Sequence, residues 1–265
     1  MINDATTPAF EVRGLCKKFG SFIAVNHLDL SVPRGSLFGI VGPNGAGKTT
    51  MLNMATGLMR PDAGEAFIAG HNIWTDPIPA KAAMGLLADG LPVFDRLTGQ
   101  EYLEYIGALY SLDPAETRTR AAELLATLEL DEAHDRRIAD YSAGMTKKIL
   151  LAGALLHNPE VLILDEPLEA VDPVSSRIIQ QILRNYAARG GTVVLSSHVM
   201  ELVENLCDHV AIIHQGAVCV TGAVAQLRGE GSLTDLFVRA VGGHDLDTQA
   251  LEWLQKENSN DGKAS

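Results

Sequence analysis

The chain has 265 residues, of which 46% are hydrophobic and 20% charged, and it carries a formal charge of -12. That composition excludes a disordered or collagen-like chain, and the length suffices for one large domain or a core with a subdomain. The acidic balance, with a pI near 5.0 and no Lys/Arg run, leaves no general attraction to nucleic acid, so none is expected as a partner.

From Phe10 to Gly35 short stretches alternate in polarity and end at the turn Pro33-Arg34-Gly35, which predicts antiparallel strands. Phe19, between Lys17-Lys18 and Gly20, offers an aromatic face that could stack on a purine or could simply end a strand. Ser36–Val41 is an apolar strand. It runs into Gly42-Pro43-Asn44-Gly45-Ala46-Gly47-Lys48-Thr49-Thr50, which matches G-x-x-x-x-G-K-[ST] at every fixed position, and Met51–Ala55 continues as a helix. Strand, glycine loop and helix together read as a phosphate-binding loop. Its glycines let successive backbone N–H groups face phosphate oxygens, Lys48 reaches the outer phosphates, and Thr49 holds Mg2+.

Pro61–Glu65 is a turn and Ala66–Ile73 a short strand pair, whereas Gly85–Pro92 reads as loop. Residues 98–130 are expected to be helical. Thr98 and Glu101 form a capping box, one helix covers Glu101–Leu109, and a second runs from about Pro114 to Leu130, before a charged connector from Asp131 to Asp140. Residues from about 90 to 157 therefore read as a helical subdomain inserted into an α/β core. Tyr141-Ser142-Ala143-Gly144-Met145 opens an apolar helix that Asn158-Pro159 breaks, and locally Ser142 fits a simple N-cap.

Val161–Leu164 is a buried parallel strand ending in Asp165-Glu166, and two adjacent acids at such a strand end need a cation or a reaction to justify them. Thr192–His198 repeats the arrangement with a histidine at the strand end, followed by a helix-like stretch from Val199 to Asn205. Ala211–Gly222 predicts a hairpin around Gln215-Gly216, residues 223–240 look helical, and the chain ends in a tail expected to fray. Cys16, Cys207 and Cys219 show no C-x-x-C spacing, so reduced thiols are expected rather than disulfides or zinc. Met1–Pro8 has neither a basic start nor an apolar core, so no signal peptide is expected. Apolar runs such as Ile149–Leu156 fall short of the roughly 18 to 20 residues a spanning helix needs.

In this order, the glycine loop, the loop at Asp89, the serine-glycine helix start, Asp165-Glu166, Val171-Asp172-Pro173 and His198 resemble the nucleotide-binding subunit of ABC transporters. The resemblance covers nearly all of residues 10–242. Tyr-Ser-x-Gly-Met, Phe94–Gly99 and Ser232–Phe237 are most similar to stand-alone ATPases of bacterial exporters whose permease is a separate chain. The fold so implied is an α/β, P-loop NTPase (RecA-like) core with an antiparallel β subdomain and an inserted α-helical subdomain. Residues 8–88 and 158–230 would form the core, 89–157 the helical subdomain, and 243–265 a C-terminal tail.

The resemblance also implies roles. Residues Gly42, Pro43, Asn44, Gly45, Ala46, Gly47, Lys48, Thr49 and Thr50 would bind the ATP phosphates, with Thr49, Asp165 and Asp89 on Mg2+. Glu166 would orient and deprotonate the attacking water, His198 would contact the γ-phosphate, and Phe19 would stack on adenine. Ser142 and Gly144 would serve the ATP of a second copy or a paralogous subunit, paired head to tail, and Asp172 would bind nucleotide. The partner would be an integral membrane permease, holding the chain on the cytoplasmic face of the membrane, with Asp89 as the sensing position toward it.

Four positions depart from the family pattern: Asp89 stands where Gln or Glu is usual, Ala143 replaces the first signature glycine, and Ala170-Val171 replace Gly-Leu. Two alternatives to the transport motor are a non-transport ABC ATPase and a nucleotide-binding regulatory subunit that hydrolyses poorly.

Overall fold

The computed structural model describes residues 7–88, 90 and 93–241, except the side chain of Glu230. Asp89 and the tail at 243–265 lie outside the described residues.

The N-terminal part is a four-stranded antiparallel sheet in the order β2-β1-β4-β5, built from β1 (Phe10–Phe19), β2 (Phe22–Val32), β4 (Ala63–Ile68) and β5 (His71–Asn72). The larger sheet contains β3 (Leu37–Val41), β6 (Met84–Leu87), β7 (Val161–Leu164), β8 (Thr192–Ser197), β9 (His209–His214) and β10 (Ala217–Ala223). Its order is β10-β9-β3-β8-β7-β6, parallel throughout except where β10 folds back on β9.

The continuous apolar runs of the central strands follow from burial on both faces. On β3, Leu37 and Val41 enter one core cluster and Phe38 and Ile40 the other. On β7, Leu162 and Leu164 likewise oppose Val161 and Ile163, as strand periodicity requires. One cluster lies between the two sheets and includes Met51, Leu52, Met54 and Ala55 of α1 (Lys48–Ala55). The other is covered by helices from the insertion and the C-terminal half.

Between β6 and β7 the chain leaves the sheet for α3 (Gly99–Leu109), α4 (Pro114–Thr127) and α5 (Ala143–Leu155). The capping box at Thr98 and Glu101 forms as expected, starting α3. α4 ends three residues earlier than its apolar pattern suggests, because Glu129 turns into the left-handed region at φ 55°. The connector 131–140 holds two short 3-10 turns.

α6 (Pro173–Ala188) and α7 (Met200–Leu206) pack into the same core cluster as the helices of the insertion. The stretch 223–240 is not one helix. It is α8 (Val224–Leu227), a 3-10 turn at 228–230, a break at Gly231 with φ 124°, and α9 (Leu233–Val241). Two elements have no counterpart in the sequence patterns: α2 (Pro77–Ala82) and the edge strand β6. Met84–Leu87 pairs with Val161–Leu164, so the start of Gly85–Pro92 is strand rather than loop. Gly85 is needed there, since a Cβ would lie 2.2 Å from the carbonyl oxygen of Ala154 on α5.

Candidate functional site

Three adjacent strands, β3, β8 and β7, end side by side and deliver the glycine loop, His198 and Asp165-Glu166 to one edge of the sheet. This is the carboxyl edge, where open α/β sheets bind ligands. The loop is tightly packed beneath. A Cβ at Gly42 would sit 2.2 Å from the carbonyl oxygen of Ile213, and one at Gly47 would sit 2.4 Å from that of Ala24. Gly47 also takes φ 103°, so no L side chain fits there on either count. No side chain caps α1 and its first turn holds no acid, which leaves its positive end for an anion.

Lys48 and Glu166 meet beside this loop. Lys48 Nζ donates to the Gly42 carbonyl at 2.8 Å and lies 3.7 Å from Glu166 Oε1. On the other side, Glu166 Oε2 is 3.1 Å from His198 Nδ1. The carboxylate is thus held between a buried ammonium and an imidazole. Its backbone is unusual too, since Glu166 is a non-glycine residue at φ 46°, a conformation that persists only where the surroundings determine it.

Asp165 is only 2% exposed. Its Oδ1 accepts a short hydrogen bond from the Ser196 hydroxyl, while its Oδ2 is buried with no partner. A buried carboxylate oxygen left unpaired calls for a cation or water. Among the described residues no group of three or more His, Cys, Asp or Glu side chains could hold a metal ion by itself. A carboxylate, a hydroxyl and phosphate oxygens suit Mg2+, which is bound through few protein ligands and keeps its waters. Asp165 and Thr49 therefore fit that ion.

A cavity of about 370 Å³ opens over these groups, lined by Phe19, Phe22, Ala24, Asn44 through Thr50, Glu166, Glu169 and His198. Phe19 is 48% exposed, and Lys17 Nζ lies 5.8 Å from its ring centre. The structure thus brings together Phe19, the glycine loop, Lys48, Thr49, Thr50, Glu166 and His198, with Asp165 beneath.

Ser142, Gly144 and Asp172 do not line this cavity. Ser142 caps α5, its hydroxyl accepting the Met145 N–H at 3.2 Å, and it is exposed. A Cβ on Gly144 would approach the Ala170 carbonyl oxygen at 3.4 Å, so the start of α5 packs beside the segment after Glu166. Asp172 caps α6 through the N–H groups of Val174 and Ser175, both at 3.0 Å. Hydrogen bonding from the Ser175 side chain foremost, then from these N–H groups, holds its carboxyl below the ordinary range. Asp89 lies outside the described residues.

Ser196, Glu169 and Phe22 escape the sequence reading. Ser196 carried the only available signal, a hydroxyl at a strand end beside the register of Asp165.

Residues 25–169 match the ABC transporter family. The chain is 35% identical over 249 residues to the daunorubicin/doxorubicin resistance ATP-binding protein DrrA of Streptomyces peucetius, covering 94% of this chain and 74% of that one. It is 37% identical over 205 residues to the ABC transporter ATP-binding protein NatA of Bacillus subtilis, covering 77% and 83%. Among solved structures, an ATP-binding subunit of an ABC transporter superposes with a TM-score of 0.82 at 27% identity, covering 88% of this chain and 99% of that one. With the phosphate loop, the acidic strand end and the histidine strand end in one cavity, the chain belongs to the ABC transporter family, as an ATP-binding and ATP-hydrolysing subunit.

Proposed function

We propose that this chain powers export through a separate membrane permease, by closing head to tail on a second copy or a paralogous subunit each time ATP is bound and hydrolysed. One observation carries the reading. Glu166 stands between Lys48 and His198 beside the phosphate loop, whereas Ser142 and Gly144 do not line the cavity over it. A site so divided is incomplete in one copy, which makes hydrolysis depend on closure.

In the proposed reaction Lys48 and the loop N–H groups neutralise the outer phosphates, and Phe19 stacks on the adenine. Glu166 accepts a proton from water as that water attacks the γ-phosphorus in line, with ADP leaving and inorganic phosphate forming. His198 contacts the γ-phosphate and braces Glu166. Mg2+, held by Thr49 and Asp165, would supply further charge neutralisation at the phosphate oxygens, and Asp89 would complete this shell and signal to the permease. Ser142, Gly144 and Asp172 would face the nucleotide of the opposite subunit.

Among the described residues no helix is long and apolar enough to cross a membrane, so attachment to the cytoplasmic face would run through the permease. The test is Glu166→Gln in the full chain. It should form a dimer with Mg-ATP that persists where the wild type returns to monomer, and tagged chain drawn from membranes should bring an integral membrane protein with it. A variant that stays monomeric and turns over normally would overturn the role of Glu166. Recovery without any membrane partner would favour a non-transport ATPase.

A further inference from the structure

The backbone of Glu166 is pinned at both ends. Its N–H donates to Ser196 Oγ at 3.0 Å. Its carbonyl accepts from Lys147 Nζ at 2.7 Å and from the Glu169 N–H at 3.3 Å. The two backbone anchors come from different bodies, since Ser196 belongs to β8 of the core and Lys147 to the first half of α5 in the helical insertion. Lys147 lies five residues beyond Ser142, on the same helix that Ser142 caps. The helix that begins at the signature therefore reaches back, within one chain, to the peptide unit of the carboxylate that stands over the phosphate loop.

From this we infer that Lys147 is a positioning residue for ATP hydrolysis: it fixes the left-handed backbone of Glu166, and hence the aim of its carboxylate, and ties both to the placement of α5. The physical argument is one of determinacy. A glutamate at φ 46° is strained by itself and would relax toward ordinary φ if its carbonyl lost its partners. A charged donor makes the stronger hydrogen bond of the two on that carbonyl, because the ammonium polarises it more than a backbone amide does. Relaxing the peptide would swing the side chain away from Lys48 and His198, and catalytic groups tolerate little misplacement. The tie also gives movement of the helical insertion a direct mechanical route to the catalytic carboxylate of the same subunit, in addition to the route across the dimer.

This inference rests on the role proposed for Glu166, and the experiment separates the two. Lys147→Met, Lys147→Arg, Glu166→Gln and the Lys147→Met/Glu166→Gln double variant are compared in the full chain, in kcat and KM for ATP and in affinity for ATP. Lys147→Met should lower kcat by about 10- to 100-fold while KM and ATP affinity stay within about twofold, since a shift of about 1 Å at a reacting group costs rate rather than binding. Lys147→Arg should restore kcat to within about threefold of wild type, and the double variant should be no slower than Glu166→Gln alone.

Wild-type kcat in Lys147→Met, with Glu166→Gln inactive, would overturn the positioning role and leave the function of Glu166 standing. So would a parallel fall of ATP affinity and kcat that Arg fails to rescue and that adds to Glu166→Gln, which is the pattern of a merely structural lysine. Full turnover in Glu166→Gln would instead strike the proposed function itself.

Discussion

Ser196 Oγ donates to Asp165 Oδ1 from the neighbouring strand, and the same oxygen receives the backbone N–H of the next residue, Glu166. One fully buried hydroxyl on β8 thereby sets both acids at the end of β7. Ser196→Ala removes the hydroxyl from both acids at once. It should destabilise the fold by about 1–3 kcal/mol, the cost of a buried donor left unsatisfied, and should also reduce turnover. Urea denaturation alongside steady-state ATP hydrolysis measures the two effects.

The glycines of the phosphate loop are not equivalent. Gly45 takes φ 80° but faces open space, whereas Gly47 takes φ 103° with the Ala24 carbonyl 2.4 Å from any Cβ. Gly45→Ala should cost only the strain of a left-handed alanine, about 1–2 kcal/mol, and retain ATP-dependent thermal stabilisation. Gly47→Ala must shift either the loop or the strand carrying Ala24, and should lose that stabilisation altogether. Thermal melts of both variants with and without ATP distinguish the cases.

The difference between those two glycines also marks what could be read from the chain. The letters Gly-x-x-x-x-Gly-Lys-Thr carry the phosphate loop because the chemistry demands fixed residue types at fixed spacing. The acidic and histidine strand ends are legible for the same reason, as polar residues terminating runs buried on both faces. β6 was not legible, because four residues with a glycine and no alternation look alike in a loop and in a buried edge strand. Nor was the hold of Lys147 on the Glu166 carbonyl, since a lysine on a helix gives no hint of which backbone oxygen it will meet 19 positions away. Ala170 shows a partial case: the family pattern, as the resemblance implies it, has glycine there, which hints at special backbone, and Ala170 does adopt φ 60°.

Asp172 links the segment after Glu166 to α6 through two backbone N–H groups and so titrates with folding. The bonds to Ser175, then that to Val174, lower its carboxyl below the ordinary aspartate range in the folded chain. Between the folded and unfolded values the unfolded chain binds more protons, so stability rises with pH across that window. The contribution is full at neutral pH and is lost as pH falls through the depressed folded value. Asp172→Asn keeps an N-cap but cannot ionise. The stability difference between wild type and this variant should shrink as pH falls through the acidic range, and should be flat near pH 7, as read from denaturation midpoints across a pH series.

Asp165 Oδ2 is buried without a partner while its sister oxygen is engaged by Ser196, so only one oxygen of the group is left to serve a cation. Asp165→Asn keeps the shape and can still accept from Ser196, but it removes the negative charge from that free position. Without divalent cation, ATP affinity should be equal to or higher than that of the wild type, because the triphosphate no longer faces a buried anion. With Mg2+ present, the wild type should gain affinity and turnover, whereas Asp165→Asn should gain little of either. Titrating ATP binding with and without EDTA for both proteins measures this directly. An equal response to Mg2+ in the two proteins would show that the ion is held elsewhere.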